Sequence, residues 1–107
     1  MSFGCDDGKS SAHPLFLGSW KSDTFVMKNK SYYFQVDFDS VHSIVNVKRF
    51  RITSSGVSCK DSFEAIYKKK KNTIKCHDRG RIYKFEYVNP EKIIIHYNNR
   101  KINMTKL

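Results

Sequence analysis

The chain has 107 residues, enough for one domain with a single modest core, and carries a formal net charge of +10. Aromatic side chains make up 14% of it, and no apolar run approaches the roughly 20 residues of a membrane-spanning helix. These figures exclude a helical span and point to one globular domain with a cationic field. The charge is uneven: residues 1 to 27 hold Asp6, Asp7 and Asp23 against Lys9 and Lys21, whereas from residue 60 onward 13 Lys or Arg face five acids. Such a field attracts nucleic acid, anionic lipid or an acidic protein. Of the 20 basic residues only five are Arg, the better reader of phosphate and base edges, and the lysines also serve simply to solvate a surface.

Residues 1 to 14, MSFGCDDGKSSAHP, have the composition of a flexible tail, rich in Gly, Ser and Asp and without periodicity. From Leu15 to Leu107 the pattern is that of one β domain. Tyr32, Phe34, Val36 and Phe38 alternate with Tyr33, Gln35 and Asp37, the period of a half-buried strand. In SIVNVKRFRI (43 to 52), Val45 and Val47 fall on one parity and Phe50 and Ile52 on the other, which predicts a bulge or bend near Lys48. Phe63, Ala65 and Tyr67 alternate, TIKCH (73 to 77) follows a lysine-rich turn, and Tyr83, Phe85 and Tyr87 alternate in RIYKFEYV (81 to 88). KIIIHY (92 to 97) and KINMTKL (101 to 107) close the chain.

Turn signals fall at Lys28 to Lys30, Ser54 to Gly56, Lys70 to Asn72, Asp78 to Gly80, Asn89-Pro90 and Asn98-Asn99. Their spacing of about ten residues gives about eight or nine short strands, the signature of an up-and-down barrel or sandwich. The expectation is an all-β, small antiparallel up-and-down barrel of about eight strands, or failing that an OB-like or other closed β-barrel.

The only tryptophan, Trp20, stands in LGSWKSD, two residues after Gly18. A glycine lets backbone approach closely, and a large flat side chain can plug the end of a small barrel. This Gly-x-Trp in a first strand resembles the lipocalin-like barrels. Those families also end on a basic residue stacked across the tryptophan, and MTKL resembles that ending, with Lys106 where an arginine is usual. The resemblance implies a barrel whose lining, and any apolar ligand site, is built from Trp20, Tyr32, Phe34, Phe63, Tyr67, Tyr83, Phe85 and Tyr87. A second resemblance concerns the tail: Ser2-Phe3-Gly4-Cys5-Asp6-Asp7 is similar to the junction of a bacterial lipoprotein signal. It implies a lipid on Cys5, a polar tether after it, and a periplasmic or membrane-tethered location. The alternative is an ordinary tail thiol in a cytoplasmic protein.

Cys59 and Cys76 could form a disulfide between neighbouring strands in an oxidising compartment, and three reduced cysteines suit the cytosol as well. A hairpin turning about Lys71-Asn72 sets Cys76 opposite Tyr67 rather than Cys59. In Cys76-His77-Asp78 the thiol and imidazole point to opposite faces of a strand, so they make no nucleophile pair. The scattered His13, His42, His77 and His96 have no metal-ligand spacing, and neither a cofactor nor a metal is expected.

The most basic run is YKKKKNTIK, with Lys68, Lys69, Lys70, Lys71 and Lys75, followed by Arg79 and Arg81. At a hairpin tip such lysines also block edge-to-edge pairing. Together with Tyr67, Tyr83 and Tyr87 they resemble the basic, aromatic surface of single-strand binders, although the parity of the tyrosines places them inside. The functional expectation is a non-enzymatic binding or inhibitory β-barrel, exported and lipid-tethered through Cys5, with a small apolar ligand or an acidic protein as partner. The alternative is a cytosolic basic barrel that binds single-stranded nucleic acid.

Overall fold

A computed structural model describes residues 11 to 107. After a single 3-10 turn (Pro14–Phe16), ten strands follow: β1 (Gly18–Ser22), β2 (Phe25–Met27), β3 (Lys30–Phe38), β4 (Ile44–Thr53), β5 (Gly56–Ile66), β6 (Lys68–Lys69), β7 (Thr73–Asp78), β8 (Arg81–Asn89), β9 (Lys92–Tyr97) and β10 (Arg100–Lys106). They form one antiparallel sheet in the order β5-β4-β3-β1-β10-β9-β8-β7-β6, with β2 sharing the β3 edge beside β1. The sheet is up-and-down and curled, broadly a small β-barrel, as the alternation and turn spacing predict. The two ends of the order, β5 and β6, are consecutive in the chain and joined through Tyr67.

Local chemistry explains the tight hairpins. Lys28-Asn29, Asn98-Asn99 and Arg79-Gly80 all have positive φ, the conformation of the two-residue turns whose twist matches flanking strands. Asn and Gly tolerate it best, so these turns fix the register of three hairpins. Around Lys71-Asn72, Lys68 pairs with Lys75 and Lys69 with Ile74, the expected centre for that turn.

Along β3, β7, β9 and β10 alternate residues enter the core. At one end, Phe16 and Trp20 are wholly buried, and the Trp20 indole N–H donates to the Phe16 carbonyl at 3.0 Å. Phe16 packs against Phe38 at 5.7 Å and Tyr87 at 6.2 Å, and Phe38 meets Phe85 and Tyr67 edge-on. The 3-10 turn thus lays Phe16 across this end as a plug. Trp20 pairs with Lys106, whose Nζ lies 5.5 Å from the indole ring, the contact that the resemblance implies. Gly18 has a φ of +105°, and a Cβ there would come to 3.0 Å from the Lys106 stem. The glycine makes room for the lysine that crosses the tryptophan.

Two expectations change. First, β4 keeps one parity throughout: Val45, Val47, Arg49 and Arg51 face Phe38, Val36, Phe34 and Tyr32 in turn. The bulge belongs to β5, where Arg49 pairs with Asp61 and Phe50 with Cys59, leaving Lys60 extra. Phe50 faces outward and stacks on Tyr33 at 5.0 Å. An apolar outward residue imitates a parity switch when the inward row turns basic. Second, the folded part begins before Leu15. Ser11 bridges His42, Ala12 N–H donates to the Val41 carbonyl at 2.9 Å, and His13 is buried. Polar residues docked by hydrogen bonds leave no apolar period to read.

Candidate functional site

Among the residues expected to line a ligand cavity, Trp20, Tyr32, Phe34, Tyr67, Tyr83 and Phe85 are buried, and Phe63 and Tyr87 pack against them half-buried. They fill the interior with one another. Tyr83 stacks on Tyr97 at 5.3 Å, Phe34 meets Tyr97 at 5.0 Å, and Phe63 meets Tyr83 at 5.0 Å. Such ring pairs are core packing. Burial also pushes the Tyr67 and Tyr83 hydroxyls up from their ordinary range.

The cysteines do not form the expected bridge. Cys59 lies opposite Phe50, outward and exposed, while Cys76 lies opposite Tyr83, inward and buried, and both thiols are free. A disulfide needs Cβ atoms facing each other, which opposite faces of the sheet forbid. Burial, and secondarily the charge of Asp78, pushes the Cys76 thiol up to about 12. Cys5, the expected lipid site, lies outside the described residues.

The basic run divides into three. Lys69, Lys70 and Lys71 hold the N-terminal segment: Lys69 Nζ donates to the Ser11 carbonyl, and His13 Nε2 donates to the carbonyls of Lys70 and Lys71 at 2.7 and 3.0 Å. The His13 backbone N–H donates to the Tyr67 hydroxyl at 2.9 Å, and His13 Nδ1 accepts from Leu15 N–H. That last acceptor role fixes the neutral tautomer with its proton on Nε2. Arg79 and Arg81 sit at the opposite end of the barrel beside Asp61, at 3.9 and 3.8 Å.

Lys68 and Lys75 join a different group. In the ladders Lys68 pairs with Lys75, Lys75 with Lys84, Lys84 with His96, and His96 with Lys101. Five basic residues therefore stand side by side on the outer face, one from each of β6, β7, β8, β9 and β10. With strands about 4.8 Å apart, the row runs roughly 19 Å across the sheet. Two open clefts of about 610 and 520 Å³ share Lys75 and Lys84. Among the described residues one acid touches the row: Glu86 accepts from His96 Nε2 at 2.9 Å, a bond that holds its carboxyl below the usual carboxylate range. Like charges placed directly opposite each other in a sheet are destabilising. By that rule the row opposes folding at low salt.

Lys84, His96 and Lys101 are the members that reading the basic run alone misses. Their signal was present in the turns: a hairpin centred on Arg79-Gly80 opposes residues 75 and 84, and one centred on Asn98-Asn99 opposes 96 and 101. Among the described residues no group of His, Cys, Asp or Glu is arranged to hold a metal ion. Comparison with known proteins finds no matching family model, no matching curated protein and no matching solved structure. The functional reading therefore rests on this geometry.

Proposed function

We propose that the protein is a non-enzymatic binding module that docks an acidic protein surface on the outer face of β6 to β10. The observation that carries this reading is the cross-strand row of Lys68, Lys75, Lys84, His96 and Lys101. A solvated surface has no need to place like charges in register, and doing so is unfavourable unless an anion fills the field. Lysines, as mobile point charges, suit carboxylates presented at varied positions.

Two other partners have weaker support. An apolar ligand inside the barrel would have to displace rings already packed on each other. A single-stranded nucleic acid gains much of its affinity from bases stacked on aromatic side chains. Tyr67 and Tyr83, the rings nearest the lysines in sequence, are buried, and the residues flanking the row on β7 and β8 are Thr73, His77, Ile82 and Glu86.

The test is binding of polyglutamate, with oligothymidylate as comparator, across a salt series. Polyglutamate is expected to bind at low salt and to be lost as salt screens the field. The triple variant Lys75→Ser, Lys84→Ser, Lys101→Ser should abolish that binding. Equal binding by the triple variant overturns the proposal, as does the absence of binding at low salt. Tighter binding of oligothymidylate, weakening by roughly 0.7 log units per contact for each log unit of salt, selects nucleic acid instead.

A further inference from the structure

The inward row of β4 changes character halfway along. Val45 and Val47 enter the core, and the next two inward residues are Arg49 and Arg51. Arginine is an unusual choice for an inward position unless something pairs with it. The Arg49 guanidinium lies over the Tyr32 ring, its central carbon 5.0 Å from the centroid, and Nη1 donates to the Tyr97 hydroxyl at 3.3 Å. The Nε atoms of both Arg49 and Arg51 are buried and have no hydrogen-bond partner among the described residues.

The nearby acids do not satisfy them. Asp61 opposes Arg49 in the ladder, yet its carboxylate is oriented to Arg79 and Arg81 at 3.9 and 3.8 Å. The Asp78 carboxylate lies 3.9 Å from Arg79 and leaves its buried Oδ2 without a hydrogen bond. A cleft of about 500 Å³ opens here, with Met27, Lys28, Tyr32, Arg49, Arg81 and Tyr97 among its walls. That volume lies in the range of small-molecule sites, and its wall combines guanidinium groups, hydroxyls, aromatic rings and a thioether.

We infer that the open mouth of the barrel is a site for a small molecule carrying an oxyanion, a phosphate or carboxylate, on an aromatic or apolar body. The oxyanion takes the N–H groups that the Arg49 guanidinium leaves free, a fork that matches two oxygens, with Arg81 beside it in the same wall. The body of the ligand rests on Tyr32, Tyr97 and Met27. Binding gives the Arg49 guanidinium the partner that its Nε lacks in the free protein. The site adjoins the cleft beside the outer lysine row, sharing Arg81, Tyr97 and Asn98 with it, but none of the five residues of the row lines it.

The experiment follows the arginine Nε–H signals of the nitrogen-15-labelled full chain by NMR. Phenyl phosphate and benzoate are titrated in, with sodium chloride at matched ionic strength as control. The Arg49 signal should shift saturably with at least one of the two aromatic anions. The tighter of the two identifies the oxyanion as phosphate or carboxylate. Arg49→Gln should weaken binding at least tenfold, and Tyr97→Phe by less. The triple lysine variant should bind the small anion unchanged, which separates this site from the polyglutamate surface. If Arg49→Gln does not fold, Arg49→Lys decides, because it keeps the charge and loses the fork. Shifts no larger than those caused by chloride overturn the proposal, as does saturable binding that survives the loss of the Arg49 guanidinium.

Discussion

The two ends of the barrel are built on the same strands and obey opposite rules. At the closed end, inward positions of β1, β3 and β8 hold Trp20, Phe38 and Phe85, and the Pro14–Phe16 turn covers them with Phe16. At the open end the same inward parity holds Tyr32 on β3, Arg49 and Arg51 on β4 and Arg81 on β8. Along Gly56 to Lys60, β5 is exposed on both parities, so the β4–β5 hairpin stands clear of the core. One end therefore buries apolar rings, and the other turns arginines inward, two of which, Arg49 and Arg51, have buried Nε atoms without a hydrogen-bond partner among the described residues. A local departure from good packing at a place with unpaired polar groups is where binding is expected.

The largest expected effect breaks or upholds this contrast directly. Trp20→Ala removes a fully buried indole and its bond to Phe16, and should cost about 3 to 5 kcal/mol in urea unfolding. Arg51→Met at the open end should change stability by no more than about 1 kcal/mol in either direction, since no bonded acid is lost with the guanidinium. Similar costs for the two would mean that the ends are not specialised.

His13→Ala sharpens the account of the plug. It removes the ring that donates to two carbonyls and leaves those carbonyls at a protein surface, so a loss of about 1 to 3 kcal/mol is expected. A thermal midpoint indistinguishable from that of the parent would show that residues 11 to 13 merely rest on the sheet.

The thiols report the difference between inside and outside. In a Cys5→Ser background, which leaves two thiols, Cys59 should react with a disulfide reagent in the native protein, while Cys76 should wait for unfolding. Because the Cys76 thiol is raised when folded, its contribution to stability is complete below the unfolded value of 9.0 and is lost as pH rises toward about 12. A Cys76→Ser variant, compared with the parent, should flatten the fall in stability over that alkaline window. Equal labelling rates for the two thiols in the native state would contradict the inward placement of β7.

The smallest effect concerns the lysine row. Lys84→Thr relieves like-charge opposition with Lys75 and should raise stability by about 0.2 to 1 kcal/mol at low salt, with the gain shrinking as salt is added. A loss of stability at low salt would show that the Lys84 stem is worth more as packing than its charge costs.

Much of the fold was legible because strand alternation and turn chemistry are local. Tyr32 to Phe38 and Tyr83 to Tyr87 announce their buried faces, and Asn98-Asn99 announces its hairpin. The site was legible only in part. Lys68 and Lys75 stand out in a basic run, whereas Lys84, His96 and Lys101 are ordinary until the registers of three hairpins are combined. The disulfide expectation failed because spacing along the chain says nothing about which face each sulfur takes.

By itself, the sequence determined an all-β chain, its turns and its apolar parity. These follow from backbone sterics and from burial patterns within a few residues. Only the tertiary structure decided that the inward row of β4 continues through Arg49 and Arg51, and that His13 is a buried clasp. It alone aligned five basic residues from five strands. Each depends on contacts between segments far apart in the chain, where curvature and register, rather than local preference, set which groups meet and which remain unpaired.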